Sequence, residues 1–235
     1  MYRNFRHAVA LIGLLTSFAL AQPQKEAGSS VAPIYSLPED GTWAEYRFLS
    51  GDGKQGTMRT SSVGSKLVDN RPHRWIEFKM IGKGFKSRFG KFLIDEAAFQ
   101  KTGPLATHVA VGYYRQGDKG PVLALKGKAI DDYFTMGIGG KLKRIQTTRV
   151  TTPAGVFDAE EFVASGKTPN GDPLEYRCWL SSKLPFGLAK FEVFRVQDGK
   201  KILAFRAEIT RTGKDARSEV DHTAANLPQP GRPMP

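Results

Sequence analysis

Short stretches of alternating hydrophobic and polar residues recur along most of the chain. In residues 43–50, Tyr46 and Phe48 fall on one side of the alternation and Glu45 and Arg47 on the other. A period of two is typical of a β-strand that buries one face. The pattern predicts nine strands, over residues 43–50, 55–63, 73–81, 85–94, 141–151, 156–164, 174–180, 188–197 and 201–210.

Turn-forming residues separate these stretches and predict how they connect. Gly51-Asp52-Gly53, Pro169-Asn170-Gly171 and Asp198-Gly199 each stand between two predicted strands. Glycine, asparagine and aspartate adopt the backbone angles that tight hairpins need. The predicted fold class is therefore mainly β, an antiparallel meander.

Residues 95–140 interrupt this pattern. Residues 95–101 begin with two acids and end with a lysine before Gly103-Pro104, which predicts a short helix, and residues 130–134 predict another helical turn. A segment of this length exceeds a simple connection between strands. We expect a helical or irregular insert that covers a face or the mouth of the sheet.

The first 21 residues have the pattern of a secretory signal peptide. Arg3 and Arg6 precede a short apolar stretch, and Ala19-Leu20-Ala21 supplies the small residues of a cleavage site. The alternative, a membrane anchor, needs about 20 apolar residues, which this stretch does not reach. We expect cleavage after Ala21, a periplasmic or secreted protein, and no transmembrane segment after cleavage.

The composition of the remaining chain predicts one domain between two flexible ends. Residues 22–40 and 212–235 are rich in Gln, Pro, Gly and Ser or carry few large apolar side chains. Such segments bury too little apolar surface to offset the entropy of ordering. We expect a flexible linker over 22–40, a folded domain over 41–211 and a disordered tail over 212–235.

Basic residues exceed acidic ones, with 35 Lys and Arg against 23 Asp and Glu and a formal net charge of +12. Such a field favours anionic partners, whereas export and the lack of a recognised motif disfavour nucleic acid. The alternative is a basic face that only keeps the protein soluble. Two runs without acids, 79–91 and 141–149, supply the predicted contacts to an anionic envelope polymer: Lys83, Lys86, Arg88, Lys141, Lys143 and Arg144.

The residues that carry most catalytic and metal chemistry are scarce. After residue 21 the histidines are His73, His108 and His222, without the spacing of a zinc site, and no nucleophile motif is present. The single cysteine, Cys178, lies in a predicted strand, and we interpret it as a small, buried hydrophobic residue rather than a reactive thiol. We expect no metal, no cofactor and no enzymatic activity.

Four segments resemble a group of uncharacterised secreted bacterial proteins: GTWAEY at 41–46, RWIE at 74–77, TPAGVFDA at 152–159 and LPFGLAKFE at 184–192. These proteins are similar in pattern to the periplasmic lipoprotein-carrier superfamily. The resemblance covers roughly residues 41–211 and implies an unclosed β half-barrel with helices over its concave side. It also implies a lipid or acyl chain held in the concavity, and the residues we expect to line it are Tyr46, Phe48, Ile76, Phe78, Met80 and Phe92.

Three hypotheses about function follow. The first is a carrier or sensor that holds a lipid or another hydrophobic small molecule on the concave face. The second is an envelope module that binds an anionic polymer, or a partner protein, through its basic surface or a sheet edge. The third is a hydrolase built around the insert, for which the sequence supplies no set of residues. We rank them in that order.

Overall fold

A single antiparallel sheet of eleven strands makes up almost all of the described chain. The computed structural model describes residues 37–84, 86–97, 109–127, 129–130, 143–168 and 171–222. The strands are β1 (Thr42–Ser50), β2 (Gln55–Val68), β3 (Arg71–Gly82), β4 (Arg88–Asp95), β5 (Val109–Gln116), β6 (Val122–Leu125), β7 (Lys143–Thr152), β8 (Gly155–Lys167), β9 (Pro173–Leu180), β10 (Leu188–Gln197) and β11 (Lys200–Lys214).

The sheet is a meander whose first and last strands meet in the middle. Its order is β6-β5-β4-β3-β2-β1-β11-β10-β9-β8-β7, and Thr42 of β1 lies opposite Lys214 of β11. Strands β6 and β7 form the two edges, and no pairing joins them within the described residues, so the sheet is unclosed. The predicted fold class is confirmed, with two strands more than the expected nine.

The two additional strands, β5 and β6, lie in the insert that we predicted to be helical or irregular. Strand β5 pairs with β4, with Gly112 opposite Phe92, and β6 pairs with β5. Apolar and aromatic residues in β5 and β6 extend the sheet and cover more of its inner face, which outweighs the weak helical pattern before them. Residues 96–97 form a 3₁₀ turn and 129–130 are helical, while the other predicted helical positions lie outside the described residues.

Two-residue turns between strands follow the predicted chemistry. Asp198 and Gly199 have φ values of 50° and 72°, and Asp69 and Asn70 have values of 50° and 58°. Positive φ at both central positions matches the right-handed twist of the flanking strands. These turns fix the register of β10 with β11 and of β2 with β3.

Alternate residues of the strands bury one face of the sheet, here called the inner face, around one hydrophobic cluster. The cluster joins Leu125 of β6 with Phe162 of β8, so elements near opposite edges contribute to the same core. The sheet is curved, because the turn between β7 and β8 reaches β11, although β9 and β10 lie between them in the sheet order. The opposite face is here called the outer face.

The β7–β8 hairpin extends past the end of β9 and reaches β11. Strand β9 ends at Leu180, opposite Glu160, so the first residues of β8 continue beyond it. In the hairpin turn, the Ala154 amide donates to the Ile209 carbonyl of β11 at 3.2 Å. The hairpin therefore crosses one end of the curved sheet.

The end of the chain differs from the prediction of a disordered tail over 212–235. Strand β11 continues to Lys214, and residues 215–222, here called the tail segment, lie on the outer face with Val220 buried. Specific contacts to the sheet order this segment, although it contains few large apolar side chains. Residues 223–235, the predicted signal peptide 1–21 and residues 22–36 of the linker lie outside the described residues.

Within the described ranges, no helix is sufficiently long and apolar to span a membrane.

Candidate functional site

The six residues predicted to line a ligand cavity lie together in the core of the inner face. All belong to the same hydrophobic cluster, and their exposed fractions are 0–5%. Their rings contact one another or neighbouring rings, with 5.9 Å between the centroids of Phe78 and Phe92 and 5.7 Å between those of Phe48 and Phe205. These aromatic side chains therefore pack against one another, as they do in a protein core.

Among the six predicted residues, Tyr46 is the one that carries a polar group. Its hydroxyl is buried and has no hydrogen-bond partner among the described residues. Burial raises the pKa of Tyr46, so the phenol stays protonated and offers a donor inside the core. An unsatisfied buried hydroxyl costs about 1–3 kcal/mol. A polar atom of a guest molecule beside Tyr46 would recover that cost.

Cys178 faces the same core from β9. Its exposed fraction is 0%, and the chain's thiol is free and buried as predicted. Burial, with the charge of Glu161 adding to it, raises the pKa of Cys178. The protonated thiol is a poor nucleophile, so Cys178 acts here as a packing residue.

The first predicted basic cluster divides between surface and core. Lys83 and Lys86 are exposed beside the β3–β4 turn, but Arg88 is only 2% exposed. Arg88 alternates in phase with Phe92 on β4 and faces inward, where burial raises the pKa of Tyr114 and the charge of Arg88 opposes that rise. The prediction that Arg88 contacts an external anion is therefore wrong.

The second predicted basic cluster lies on the edge strand β7. Lys143 and Arg144 are exposed, and Arg144 Nε lies 2.6 Å from Glu160 Oε1 of the neighbouring strand. Lys143 forms no ion pair within the described chain. Lys141 lies outside the described residues.

The two clusters lie at the same end of the sheet, here called the basic end. In the antiparallel register, the β3–β4 turn, the β5–β6 and β10–β11 turns and the start of β7 all fall at this end. Four aspartates in its turns moderate the positive charge. The lysines at this end for which the described residues provide no ion pair are Lys83, Lys86, Lys119, Lys143, Lys167 and Lys200.

Charges on the outer face are arranged differently, because they form a ladder of ion pairs across the strands. Glu45 of β1 lies between Arg59 of β2 and Arg211 of β11, at 3.4 and 2.7 Å. Both guanidinium groups lie over the ring of Trp43, 4.2 and 5.7 Å from its centroid. These cations are therefore engaged within the protein.

The ladder continues through β9, β10 and β11. Lys190 bridges Glu192 and Glu208 at 3.1 and 3.6 Å. Burial opposes the ionisation of Glu175, but hydrogen bonds from Lys201 and Arg177 outweigh it and lower the pKa of Glu175. These outer-face cations are thus paired within the protein, whereas the six lysines of the basic end have no ion pair among the described residues.

The tail segment and the outer face beneath it form a site that the sequence did not predict. Ser218 and Val220 contact the Glu77 and Lys91 side chains, and the ring of His222 packs against the rings of both Trp75 and Tyr113. A signal was present, since Ser218, Val220 and His222 alternate with two acidic residues. It was too short to outweigh the polar composition around it.

Among the described residues, no group of three or more His, Cys, Asp or Glu is placed to hold a metal ion. A shallow cleft of about 210 Å³ lies where the tail segment reaches β5 and β6, between Tyr113, Lys126 and His222.

No protein-family model matches the chain, and no curated protein matches it. Similar solved structures include a protein of Bacteroides fragilis, inferred to be exported and described as having a YmcC-like fold, with a TM-score of 0.43 and 12% identity over 77% of this chain and 99% of that one. Another is a protein of Parabacteroides distasonis, inferred to be a lipoprotein, with a TM-score of 0.40 and 11% identity over 76% and 98% of the two chains.

Proposed function

We propose that the protein is a non-enzymatic binding protein of the cell envelope that binds an anionic polymer through the basic end of its sheet. The envelope location rests on the predicted signal peptide. The observation that supports the binding mode is the placement of Lys83, Lys86 and Lys143, which come from opposite halves of the sheet to one end and have no carboxylate partner in the described chain. Charge that is not neutralised internally attracts a polyanion.

The test compares two variants that each lose three positive charges. Lys83→Gln, Lys86→Gln and Lys143→Gln are combined in one. The matched control combines Lys66→Gln, Lys126→Gln and Arg217→Gln, which are exposed, lie away from the basic end and also have no ion pair among the described residues. Linear polyphosphate is the probe, titrated calorimetrically at low and physiological salt. We expect at least tenfold weaker binding for the first variant and near-normal binding for the control. Salt should weaken binding in the unsubstituted protein, because it screens exposed charges.

Equal losses in the two variants would contradict the proposal, because they would show a response to net charge alone. Retained binding in both would place the contact elsewhere on the protein.

The second candidate is a lipid-like ligand on the inner face, and the buried hydroxyl of Tyr46 is the observation that favours it. If a guest accepts or donates a hydrogen bond there, Tyr46→Phe weakens the binding of a fluorescent fatty-acid probe. If the site holds no guest, Tyr46→Phe removes an unsatisfied group and raises the free energy of unfolding by about 1 kcal/mol.

Phe78→Ala provides the complementary measurement for this candidate. In a ligand cavity the substitution weakens the binding of the probe and costs less stability than a core truncation does. A chain that binds no probe and loses the full 3–5 kcal/mol, roughly the cost of a core Phe→Ala, has a sealed core. That outcome rejects the carrier function and leaves the polymer-binding proposal.

A further inference from the structure

The outer face of β3, β4 and β5 contains a groove built around a buried ion pair. Glu77 of β3 and Lys91 of β4 lie opposite each other, with 3.4 Å between Oε1 and Nζ and side chains that are 8% and 5% exposed. Trp75 and Tyr113 form its aromatic wall, and Arg115 lies on the far side. A buried ion pair is costly unless other hydrogen bonds complete it. In this groove the tail segment supplies them.

Glu77 and Lys91 contact the main chain of the tail segment. The Glu77 carboxylate accepts hydrogen bonds from the amides of Glu219 and Val220, at 2.8 and 3.3 Å. Lys91 Nζ donates to the Val220 carbonyl at 3.1 Å, and Arg115 donates to the Glu219 carbonyl at 3.1 Å. These contacts would be available to any extended peptide, whatever its side chains.

Side chains of the tail segment supply the specificity. The hydroxyl of Ser218 contacts both Glu77 and Lys91, Val220 is 1% exposed, and the His222 ring lies 5.0 Å from both aromatic rings of the wall. Between these inward residues, the Glu219 carboxylate pairs with Lys79. The groove thus contacts a hydroxyl group, a branched aliphatic group and an aromatic ring at every second position of the segment.

The tail segment is bound mainly through side chains of the groove, as a peptide ligand is, and it does not pair as a strand of the sheet. Residues 215–222 belong to no strand, and their backbone bonds to the main chain elsewhere are those of Asp215 and Ala216 to the Gly41 carbonyl. The remaining contacts are to side chains. Because the segment follows the last strand, it can leave the groove without breaking the pairing of any strand.

We propose that this groove is a peptide-binding site that the chain's own tail segment occupies in cis. Its external ligand is an extended segment of a partner protein with the pattern of residues 218–222: a hydroxyl residue, an acidic residue, a β-branched aliphatic residue, a second acidic residue and an aromatic or imidazole residue. Lys79 favours the acid at the second position. The site is separate from the basic end and does not depend on its function.

The test uses the full chain and a fluorescein-labelled peptide of residues 215–224. In the unsubstituted protein the tail competes at an effective concentration on the order of millimolar, so micromolar peptide does not bind. Val220→Arg places a cation beside Lys91 and releases the tail. We expect fluorescence anisotropy to show at least tenfold tighter peptide binding to this variant, with no binding of a scrambled peptide.

Two further variants make the result specific. Thr151→Arg adds the same charge on β7, far along the sheet order from the groove, and should bind the peptide no better than the unsubstituted chain does. Glu77→Gln, added to Val220→Arg, removes the charge and replaces one of the two oxygens that accept the Glu219 and Val220 amides with a donor, so it should abolish the gain. A gain that survives Glu77→Gln, or that the scrambled peptide shares, overturns the proposal.

A second measurement avoids substitution in the groove, in case Val220→Arg fails to fold. A specific protease site inserted after the exposed Arg217 allows the tail to be cut in the folded protein. We expect the fragment to stay bound during gel filtration and to exchange with the labelled peptide. Immediate release of the fragment, with no binding of added peptide to the cut protein, also overturns the proposal.

Discussion

Strands β4 and β7 are both basic, yet the structure treats their charges in opposite ways. All eight residues of β4 are buried, whereas in β7 only Val150 and Thr152 are. Strand β4 lies between two neighbours and beneath the tail segment, while β7 is an edge. The environment of a lysine in this protein is therefore set by the place of its strand in the sheet, which the local composition does not reveal.

The two environments give the charges different roles. In β4, Lys91 is withdrawn from water and is stable only because Glu77 and the tail segment satisfy it. In β7, exposed Lys143 and Arg144 keep their hydration, and such charges also discourage an edge strand from pairing with other chains. Mutations in β4 should thus change stability, and those in β7 should change mainly binding.

The largest expected effect is that of a truncation in the core of β4. Phe92 is fully buried and its ring packs on Phe78, so Phe92→Ala should lower the free energy of unfolding by about 3–5 kcal/mol. The matched control is Ile145→Ala in β7, where the side chain is 49% exposed and the loss should stay within about 0.5 kcal/mol. Urea denaturation measures both, and similar losses would contradict the contrast between the strands.

A smaller effect should follow from removing the buried cation. Lys91→Ala leaves the buried carboxylate of Glu77 without its ionic partner, a change that typically costs 3–5 kcal/mol. Because Glu77 keeps its hydrogen bonds from Ser218, Glu219 and Val220, we expect the low end, about 3 kcal/mol.

Lys143→Ala in β7 is the control for this lysine and should change stability by no more than about 0.5 kcal/mol. If Lys91→Ala changes the free energy of unfolding as little as Lys143→Ala does, the tail segment and Glu77 do not depend on the cation. Lys91 is then not a main contact of the groove.

The strand pattern was predictable because its determinants are local. Alternation along β1 and the Asp198-Gly199 turn specify strand and hairpin without reference to the rest of the chain. Strands β5 and β6 were missed because the helical composition of residues 95–101 suggested a different structure for the whole insert. The pairing of β5 with β4 is a long-range contact that a local pattern does not contain.

The candidate sites were predictable only in part, for the same reason. The six inner-face residues were correctly placed on one face, since alternation shows that directly. The burial of Arg88 and Lys91 depends on strand neighbours and on the tail segment more than a hundred residues later in the chain. A run of basic residues contains no information on which of its members a distant segment will cover.

The smallest expected effect concerns an exposed ion pair, which completes the contrast with Glu77 and Lys91. In the β1–β2 turn, hydrogen bonds first from Lys54 and then from Ser50 lower the pKa of Asp52 from 3.8 to about 2. A carboxyl group whose pKa is lower in the folded than in the unfolded protein stabilises the fold when the pH is above the unfolded-state pKa. This contribution disappears as the pH falls through the folded-state pKa. Asp52 should therefore contribute fully above about pH 4 and lose its contribution toward pH 2. Because the pair is largely exposed, we expect a contribution of less than about 1 kcal/mol.

Urea denaturation of the unsubstituted chain and of Asp52→Asn tests this expectation. Their free energies of unfolding should differ at pH 5 and converge near pH 2. A difference as large as that for Lys91→Ala would show that exposure does not separate the two ion pairs.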